Sequence, residues 1–140
     1  MYRILLIAIL VLSGTAALAA EQDPAEADAQ ETALDWLALI DAGSYEESWD
    51  HTAPLFQQQL NAGQWTQTLN KVRGALGKVQ TRELVSTQAL ASLPGIPGIP
   101  DGHYVVITLH TGFENKKSAI ETVTLAHNGS TWQALGYFIR

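Results

Sequence analysis

Hydrophobic positions in the first third of the domain recur every three or four residues, which is the spacing of an amphipathic helix. Asp23 followed by Pro24 is typical of a helix cap and first turn, and Gly43 is a stop signal. Residues 33–40 are apolar nearly all round, so we expect this helix to be covered on more than one side. The residues with the helical spacing are Ala29, Ala33, Trp36, Leu37 and Ile40.

Shorter helical segments are predicted after this first helix. Ser44 and Glu47 have the spacing of a capping box, in which each side chain bonds the backbone of the other residue. Pro54 opens a short helical turn, and a longer helix is predicted over residues 64–76, where Gly77 ends it. The first half of the domain is therefore expected to form a helical layer.

From residue 79 onward the hydrophobic period changes to two, the period of a half-buried strand. Strands are predicted over residues 79–90, 103–113, 119–127 and 131–139. Asn128-Gly129 predicts a two-residue hairpin turn between the last two strands. Helices followed by an antiparallel meander predict an α+β fold, with the N-terminal helices packed on one face of a curved four-stranded antiparallel sheet.

The N-terminal residues have the pattern of a secretory signal peptide. Arg3 supplies a positive charge, residues 4–12 form an unbroken apolar run, and Ala17-Leu18-Ala19 is a small-residue cleavage site. A permanent membrane span needs about 20 apolar residues, so this run is too short for one. We expect cleavage after Ala19 and a periplasmic or secreted protein without stable membrane insertion. The predicted segments are a signal peptide (1–19), an acidic leader (20–31) and a single α+β domain (32–140).

Charge and cysteine content argue against several classes of function. The chain has no cysteine, which removes thiol catalysis, thiolate metal sites and disulfides. Without the signal peptide, seven Lys and Arg stand against fourteen Asp and Glu, a formal net charge of −7. Ten of these carboxylates lie between Ala20 and Asn70, a stretch without Lys or Arg. We therefore expect neither nucleic acid nor an anionic membrane surface as a partner, because both select for positive charge.

A series of short motifs in a fixed order runs from Trp36 to the C-terminus. They are Trp36-Leu37, Asp41, Gly43, Tyr45, Trp49, Phe56, Trp65, Arg73, Gly77, Leu93-Pro94-Gly95, Asp101-Gly102-His103-Tyr104, Phe113-Glu114-Asn115-Lys116, Glu121-Thr122-Val123-Thr124, Trp132 and Gly136-Tyr137-Phe138-Ile139. This pattern resembles the bacterial exported family called domain of unknown function 4019. The resemblance implies a cystatin-like cone, the architecture of nuclear transport factor 2, and it implies no catalytic residues, because the family has none assigned. The loop at 94–100 is longer than the family pattern.

No catalytic template is present in the sequence, which has no GxSxG elbow, HExxH, phosphate-binding loop or dinucleotide fingerprint. The histidines are scattered, so neither a metal site nor a cofactor is predicted. Cone-shaped enzymes need only a few polar side chains in an apolar pocket. The candidates for such a site are Asp35, Tyr104, His110 and Glu121. In the structural alternative, Asp35 points to water or caps a neighbouring turn, and Glu121 forms an ion pair with Lys116, Lys117 or Arg73.

Aromatic and loop residues supply the candidates for binding. Trp49 lies near a predicted helix end and is a candidate for a ligand or partner site. The proline-rich loop at 94–100 carries Ile96 and Ile99, which either fold back on the sheet edge or form a partner-binding lip. The other tryptophans are predicted to lie in the core: Trp36, Trp65 and Trp132.

These observations favour an exported module that binds a small ligand or an envelope protein without chemistry. Two other functions stay open. One is a cofactor-free enzyme with isomerase-like or dehydratase-like acid–base chemistry. The other is a self-associating structural envelope protein that uses the outer sheet face, with Tyr104, Val106 and Thr108 as contacts. A homodimer through the sheet is compatible with each, since an open sheet with two apolar-leaning faces needs cover on both.

Overall fold

A computed structural model describes residues 21–140, and the predicted signal peptide (1–19) lies outside the described residues. Helices come first and strands follow, which confirms the predicted α+β fold. The elements are α1 (Pro24–Asp41), α2 (Tyr45–Asp50), α3 (Pro54–Gln59), α4 (Ala62–Leu76), β1 (Val79–Leu90), β2 (Tyr104–Phe113), β3 (Lys116–His127) and β4 (Trp132–Ile139). Among residues 21–140, no helix has the length and apolar character required to cross a membrane.

The four strands form one antiparallel sheet in the order β1-β2-β3-β4, and the helices pack on its inner face. Alternation along β2 directs Val105, Ile107 and Leu109 into the core, as their period predicts. Val123 and Leu125 of β3 lie opposite them on the same face. The helical contribution to this core comes mainly from α1 and α4, through Ala29, Ala33, Trp36, Leu37, Ile40, Trp65 and Leu69.

Helix α1 begins within the segment predicted as an acidic leader. Asp23 caps it, because its Oδ1 accepts a hydrogen bond from the amide of Ala25 at 2.9 Å, and Pro24 occupies the first turn. Ala29 is fully buried against the core. Residues 24–31 are thus a packed part of the domain, and the predicted boundary at residue 32 falls inside α1.

The capping box predicted at Ser44 and Glu47 is wrong. Ser44 is the N-cap residue of α2, but its side chain makes no capping hydrogen bond. Its backbone amide donates to the carbonyl of Leu39 at 2.8 Å, so the donor that Glu47 needs is already used to close the end of α1. A capping box forms instead at α4, where Asn61 Oδ1 accepts from the Gln64 amide at 2.8 Å and Gln64 Oε1 accepts from the Asn61 amide at 3.1 Å.

The β3–β4 hairpin forms where Asn128-Gly129 predicts it, but through a longer connection than two residues. Residues 128–131 lie between the two strands, and the Asn128 amide donates to the Thr131 carbonyl at 3.0 Å. The Asn128 side chain accepts from the amides of Ser130 and Thr131 at 2.9 and 2.8 Å. A two-residue hairpin of this type needs two residues with positive φ. Within residues 128–131 only Gly129 has one, 94°, because the hydrogen bonds of the Asn128 side chain form the rest of the turn.

Candidate functional site

A cluster of charged side chains lies inside the domain, and Glu121 of β3 is its fully buried member. Glu121 Oε1 accepts from Arg82 Nε of β1 at 2.8 Å and from the Thr111 hydroxyl of β2 at 2.5 Å. Its Oε2 accepts from the hydroxyl of Tyr137 on β4. Each of the other three strands therefore supplies a donor to this one carboxylate, which satisfies both of its oxygens.

Asp41, at the C-terminal end of α1, extends the cluster to the helices. Its carboxylate accepts from Arg82 Nη1 and Nη2 at 2.7 and 3.1 Å, and from Arg73 Nη2 of α4 at 2.7 Å. The two guanidiniums balance the charges of Asp41 and Glu121. Arg73 Nε and Nη1 have no partner among the described residues, and its Cζ lies 5.1 Å from the centre of the Phe113 ring, a cation–π distance.

The pKa values in this cluster follow from burial and pairing. Burial alone would raise the pKa of Asp41, but the hydrogen bonds from Arg82 and Arg73 outweigh it and hold that pKa below its usual range. Burial first, and then the negative charge of Glu121, raises the pKa of the Tyr137 phenol. Tyr137 is therefore a neutral hydrogen-bond donor at ordinary pH, and the cluster is a network of ion pairs.

The four candidates for an acid–base site do not come together. Glu121 points into the core and borders none of five clefts found on residues 21–140. Tyr104 and His110 lie on β2 and alternate with the core residues, so they belong to the outer face of the sheet. The Tyr104 hydroxyl donates to the Pro100 carbonyl at 2.5 Å, and His110 Nε2 lies 2.9 Å from the Ser118 hydroxyl. Asp35 is exposed on α1.

Glu121 forms an ion pair, as the structural alternative states, but its partner is Arg82. Arg73, one of the three cations expected beside it, pairs with Asp41 instead. Lys117, another of them, donates to Gln80 at 3.0 Å on the exposed rim of the sheet. The exposed position of Asp35 agrees with the same alternative.

Two open clefts flank Trp132, the first residue of β4. The first cleft, about 530 Å³, lies between the start of α1 and the end of the sheet where β2 and β4 begin. The second cleft, about 420 Å³, lies between α1, α2 and the start of β4. Trp132 borders both. Their walls hold six carboxylates and no Lys or Arg: Asp23, Glu26 and Asp28 in the first cleft, and Asp35, Glu47 and Asp50 in the second.

The hairpin before β4 positions Trp132 between these clefts. His127, the last residue of β3, packs edge-on against the Trp132 ring with ring centres 4.9 Å apart. His127 Nδ1 accepts from the Gly129 amide at 3.1 Å, so the turn at 128–131 holds the histidine that supports the tryptophan. Trp132 is half-buried, and it packs against the edge of the core that it was predicted to join. Its place directly after a hairpin turn, at the end of the sheet, was the signal for a partly open position.

The predicted binding residues lie elsewhere. Trp49 is half-buried and packs against the core, and its Nε1 donates to the Leu60 carbonyl at 2.7 Å. Ile96 is exposed and Ile99 is half-buried, and both border an apolar hollow of about 230 Å³. The loop therefore folds back on the sheet, one of the two alternatives for it. The other residues around this apolar hollow are Leu55, Phe56, Gln59, Leu93, Thr124, Leu135 and Gly136.

Comparison with protein families identifies the family of the chain. The family model described as "Protein of unknown function (DUF4019)" matches residues 32–137. This range runs from α1 to β4 and includes Arg82, Glu121 and Trp132. No curated protein matches the chain.

Proposed function

The chain belongs to the DUF4019 family of proteins of unknown function, and we propose that it is a non-catalytic binding module for a small organic cation. The observation that carries the proposal is the position of Trp132. This ring borders two clefts at once, and the walls of both are acidic. The proposal therefore concerns the region where α1, α2 and the end of the sheet meet.

The sizes of the clefts suit a small molecule. Ligand sites in proteins commonly enclose about 300–1,000 Å³, and the clefts have volumes of about 530 and 420 Å³. Apolar groups of Leu90 and Val105 border the first, and Leu39 and Ala134 border the second. Each cleft thus offers a mixture of apolar wall and a few polar groups, which is typical of a site that fixes the orientation of its ligand.

The charge of the clefts selects the class of ligand. Clefts lined by one sign of charge concentrate ions of the opposite sign. No salt bridge between residues 21–140 uses any of the six cleft carboxylates, so their charge is available to a ligand. A tryptophan is the best aromatic partner for an ammonium group. We therefore infer a linear amine with two or more ammonium groups, one group for the cleft on each side of Trp132.

The ion-pair cluster supports binding over catalysis. A general base must reach a substrate proton, directly or through one water. The buried Glu121 has donors on both oxygens and borders neither cleft, and Asp41 is held by two arginines. Tyr104 and His110 lie on the opposite face of the sheet from Glu121. These contacts give no support to the cofactor-free enzyme.

The experiment is calorimetric titration of the protein with spermidine at low ionic strength. Asp28→Asn and Asp50→Asn remove one carboxylate from the first and second cleft, respectively, and each is expected to weaken binding several-fold. Trp132→Leu is expected to weaken it further, because it removes the aromatic wall of both clefts. Glu31→Gln is the matched control, since Glu31 is exposed on α1 and borders neither cleft.

Three results would contradict the proposal. One is the absence of spermidine binding by the unsubstituted protein. Another is an equal loss of affinity in Glu31→Gln and in the cleft variants, which would mean that the amine responds only to net charge. The third is unchanged affinity in Trp132→Leu, which would remove the tryptophan from the site.

We also propose that the domain acts outside the cytoplasm, in the periplasm or as a secreted protein. The support is the sequence of residues 1–19, with a positive start, a short apolar run and a small-residue site. N-terminal sequencing of the protein recovered from a bacterial periplasm is expected to start at Ala20. Recovery only from the cytoplasm, with Met1 retained, would contradict this proposal.

A further inference from the structure

The outer face of the sheet carries a self-complementary pair of features. The helical layer packs on the inner face, and the middle of the outer face is built from uncharged side chains. They are Val106, Thr108, Ile120, Thr122, Thr124 and Phe138, which the strand register places on the side opposite the core. Charged and titratable side chains on this face, Glu83 and His110, lie opposite each other towards one end of the strands. An uncharged middle is unusual for a sheet surface that only meets water, where polar and charged residues are expected.

Phe138 is the projecting feature of this face. It is 61% exposed, the most exposed large apolar side chain on residues 21–140. An aromatic ring of this kind gains roughly 1.5–3 kcal/mol when it is removed from water. In one copy of the chain Phe138 contributes little of this, although its backbone is held in the β3–β4 pairing opposite Thr122.

Gly136 is the recessed feature, two residues before Phe138 on the same face. Its φ is not in the left-handed region, and a Cβ built there would meet only the Thr124 side chain, at 3.8 Å. One copy of the chain therefore does not require glycine at this position, and glycine weakens a strand interior. Gly136 instead forms part of the wall of the apolar hollow of about 230 Å³, beside Ile96.

We propose that the outer face is the interface of a symmetric homodimer, in which Phe138 of each copy packs over Gly136 and into the apolar hollow of the other. A two-fold axis that runs between the two sheets, across the strands at the level of Tyr137, exchanges these two positions. Residues two apart on a strand are separated by about 7 Å. The interface is then isologous, with the same patch on both copies.

The size and the charge of the face agree with this occupant. Four strands of about ten residues present a face of about 600 Å², part of which the loop at 94–100 replaces beside Thr124 and Gly136, so two copies bury at most about 1,200 Å² in total, the lower end of specific interfaces. The same axis reverses the strand direction. It brings the end with Lys116 and Arg140 of one copy towards the end of the other that carries Asp101. Opposite charges at the two rims favour this register.

The test is sedimentation velocity over a wide range of concentration, on protein produced from the full-length sequence. The unsubstituted protein is expected to form a dimer as its concentration rises. Phe138→Ser and Gly136→Val are each expected to increase the dimer dissociation constant about tenfold or more. Leu84→Ser is the matched control, because Leu84 is an exposed apolar strand residue on the inner face, opposite Leu109, and is expected to leave the dimer unchanged.

Gly136→Val separates the interface from a folding defect. Valine is favoured over glycine in a strand, and the space for its Cβ is present. At a concentration where only monomer is present, the Gly136→Val variant is therefore expected to unfold at a temperature no lower than that of the unsubstituted protein. Three results would each overturn the proposal. One is an unsubstituted protein that stays monomeric at all concentrations. The others are an unchanged dimer dissociation constant in Phe138→Ser or Gly136→Val, and an equal weakening of the dimer by Leu84→Ser.

Discussion

Glu121 shows how a buried carboxylate is accommodated in an apolar core. Moving an unpaired charge out of water costs several kcal/mol even after relaxation. The other three strands of the sheet offset this cost with a guanidinium from Arg82 and with hydroxyl groups from Thr111 and Tyr137. Contacts with residues distant in the sequence therefore hold Glu121 in place. Its negative charge in turn provides the hydrogen-bond acceptor for Arg82, Thr111 and Tyr137.

Removal of this charge is expected to be strongly destabilising. Glu121→Gln keeps the shape of the side chain but leaves Arg82 without its buried negative partner. It also replaces the carboxylate that accepts from the Thr111 and Tyr137 hydroxyls with an amide, which has only one acceptor oxygen. The free energy of unfolding is expected to fall by about 3–5 kcal/mol, measured by urea unfolding with tryptophan fluorescence. Glu83→Gln, an exposed change on β1, is the control and is expected to cost less than about 0.5 kcal/mol. Equal effects of the two substitutions would contradict the argument.

Asp41 makes the stability of the domain depend on acid. Its pKa in the folded state lies below the usual range, because the hydrogen bonds from Arg82 and Arg73 outweigh the effect of burial. A carboxyl whose pKa is lowered on folding stabilises the folded state fully above its unfolded value of about 4. This contribution is lost as the pH falls through the pKa of the folded state, because the carboxyl has the higher pKa in the unfolded chain and binds its proton there first.

We therefore expect the free energy of unfolding to decline below about pH 4 partly through Asp41. Asp41→Asn is expected to be less stable than the original at pH 7 and to show a smaller decline in acid, since the carboxyl that titrates is absent. Urea unfolding at a series of pH values measures both. Parallel curves for the two proteins, separated by the same amount at every pH, would show that Asp41 does not contribute to the acid sensitivity.

At the scale of the elements, the helix starts differ in how they are capped. Asn61 satisfies a free amide of α4 and receives a bond back from Gln64. Ser44 begins α2 without any such side-chain bond. The two positions therefore form a natural pair for comparing a cap that functions with one that has only the sequence pattern of a cap.

Asn61→Ala is expected to lower the free energy of unfolding by about 1 kcal/mol, the usual cost of a lost N-cap. Ser44→Ala is expected to cost clearly less, although the Ser44 backbone closes α1, because alanine retains that amide. Thermal and urea unfolding of both variants test the difference. If Ser44→Ala is the more damaging change, the capping box at α2 forms in solution after all.

The elements were predictable wherever a local pattern determines them. Strand β1 has the predicted bounds, and Gly43 and Gly77 end their helices with positive φ as expected. The capping box at Ser44 was not predictable, because the competing acceptor, Leu39, belongs to the preceding helix. Local spacing cannot show that a backbone donor is already engaged by another turn.

The candidate site was predictable only in part, for a related reason. The position of Glu121 among apolar neighbours identified it as an unusual carboxylate, but its partner is 39 residues away on β1. That pairing depends on register shifts in β1 and β2, which displace the alignment of the strands. Trp132 was missed as a cleft residue because its alternation matches a core position, whereas its location at the end of the sheet leaves it partly open.

At the scale of the whole molecule, the basic residues lie away from the acidic clefts. All seven Lys and Arg after residue 19 lie between Lys71 and Arg140, near the C-terminal ends of α1 and α4 or on the sheet and its turns. The clefts that flank Trp132 are acidic. The layer order of helices followed by an antiparallel meander is compatible with the cystatin-like cone, and membership of that superfamily stays a prediction.

The first turns of α1, which carry the carboxylates of the first cleft, pack against the core, although the family match begins only at residue 32. Residues 24–31 form the first turns of α1, bury Ala29 and hold Gln30, whose side chain donates to the Thr87 hydroxyl of β1 at 2.5 Å. Removal of these residues exposes the apolar surface under them and deletes the Asp23 cap. A segment outside the family match is therefore expected to be required for the stability of the domain.

A chain that begins at residue 32 is accordingly expected to unfold at least about 2 kcal/mol more easily than one that begins at Ala20, from the lost cap and the lost burial together. Urea unfolding measures the difference. A chain that begins at Asp23 is the control and is expected to match the longer one, because it keeps the cap and the whole of α1. Equal stability of all three chains would mean that the first turns of α1 add nothing to the core, and that the acidic leader predicted from the sequence is independent of the domain.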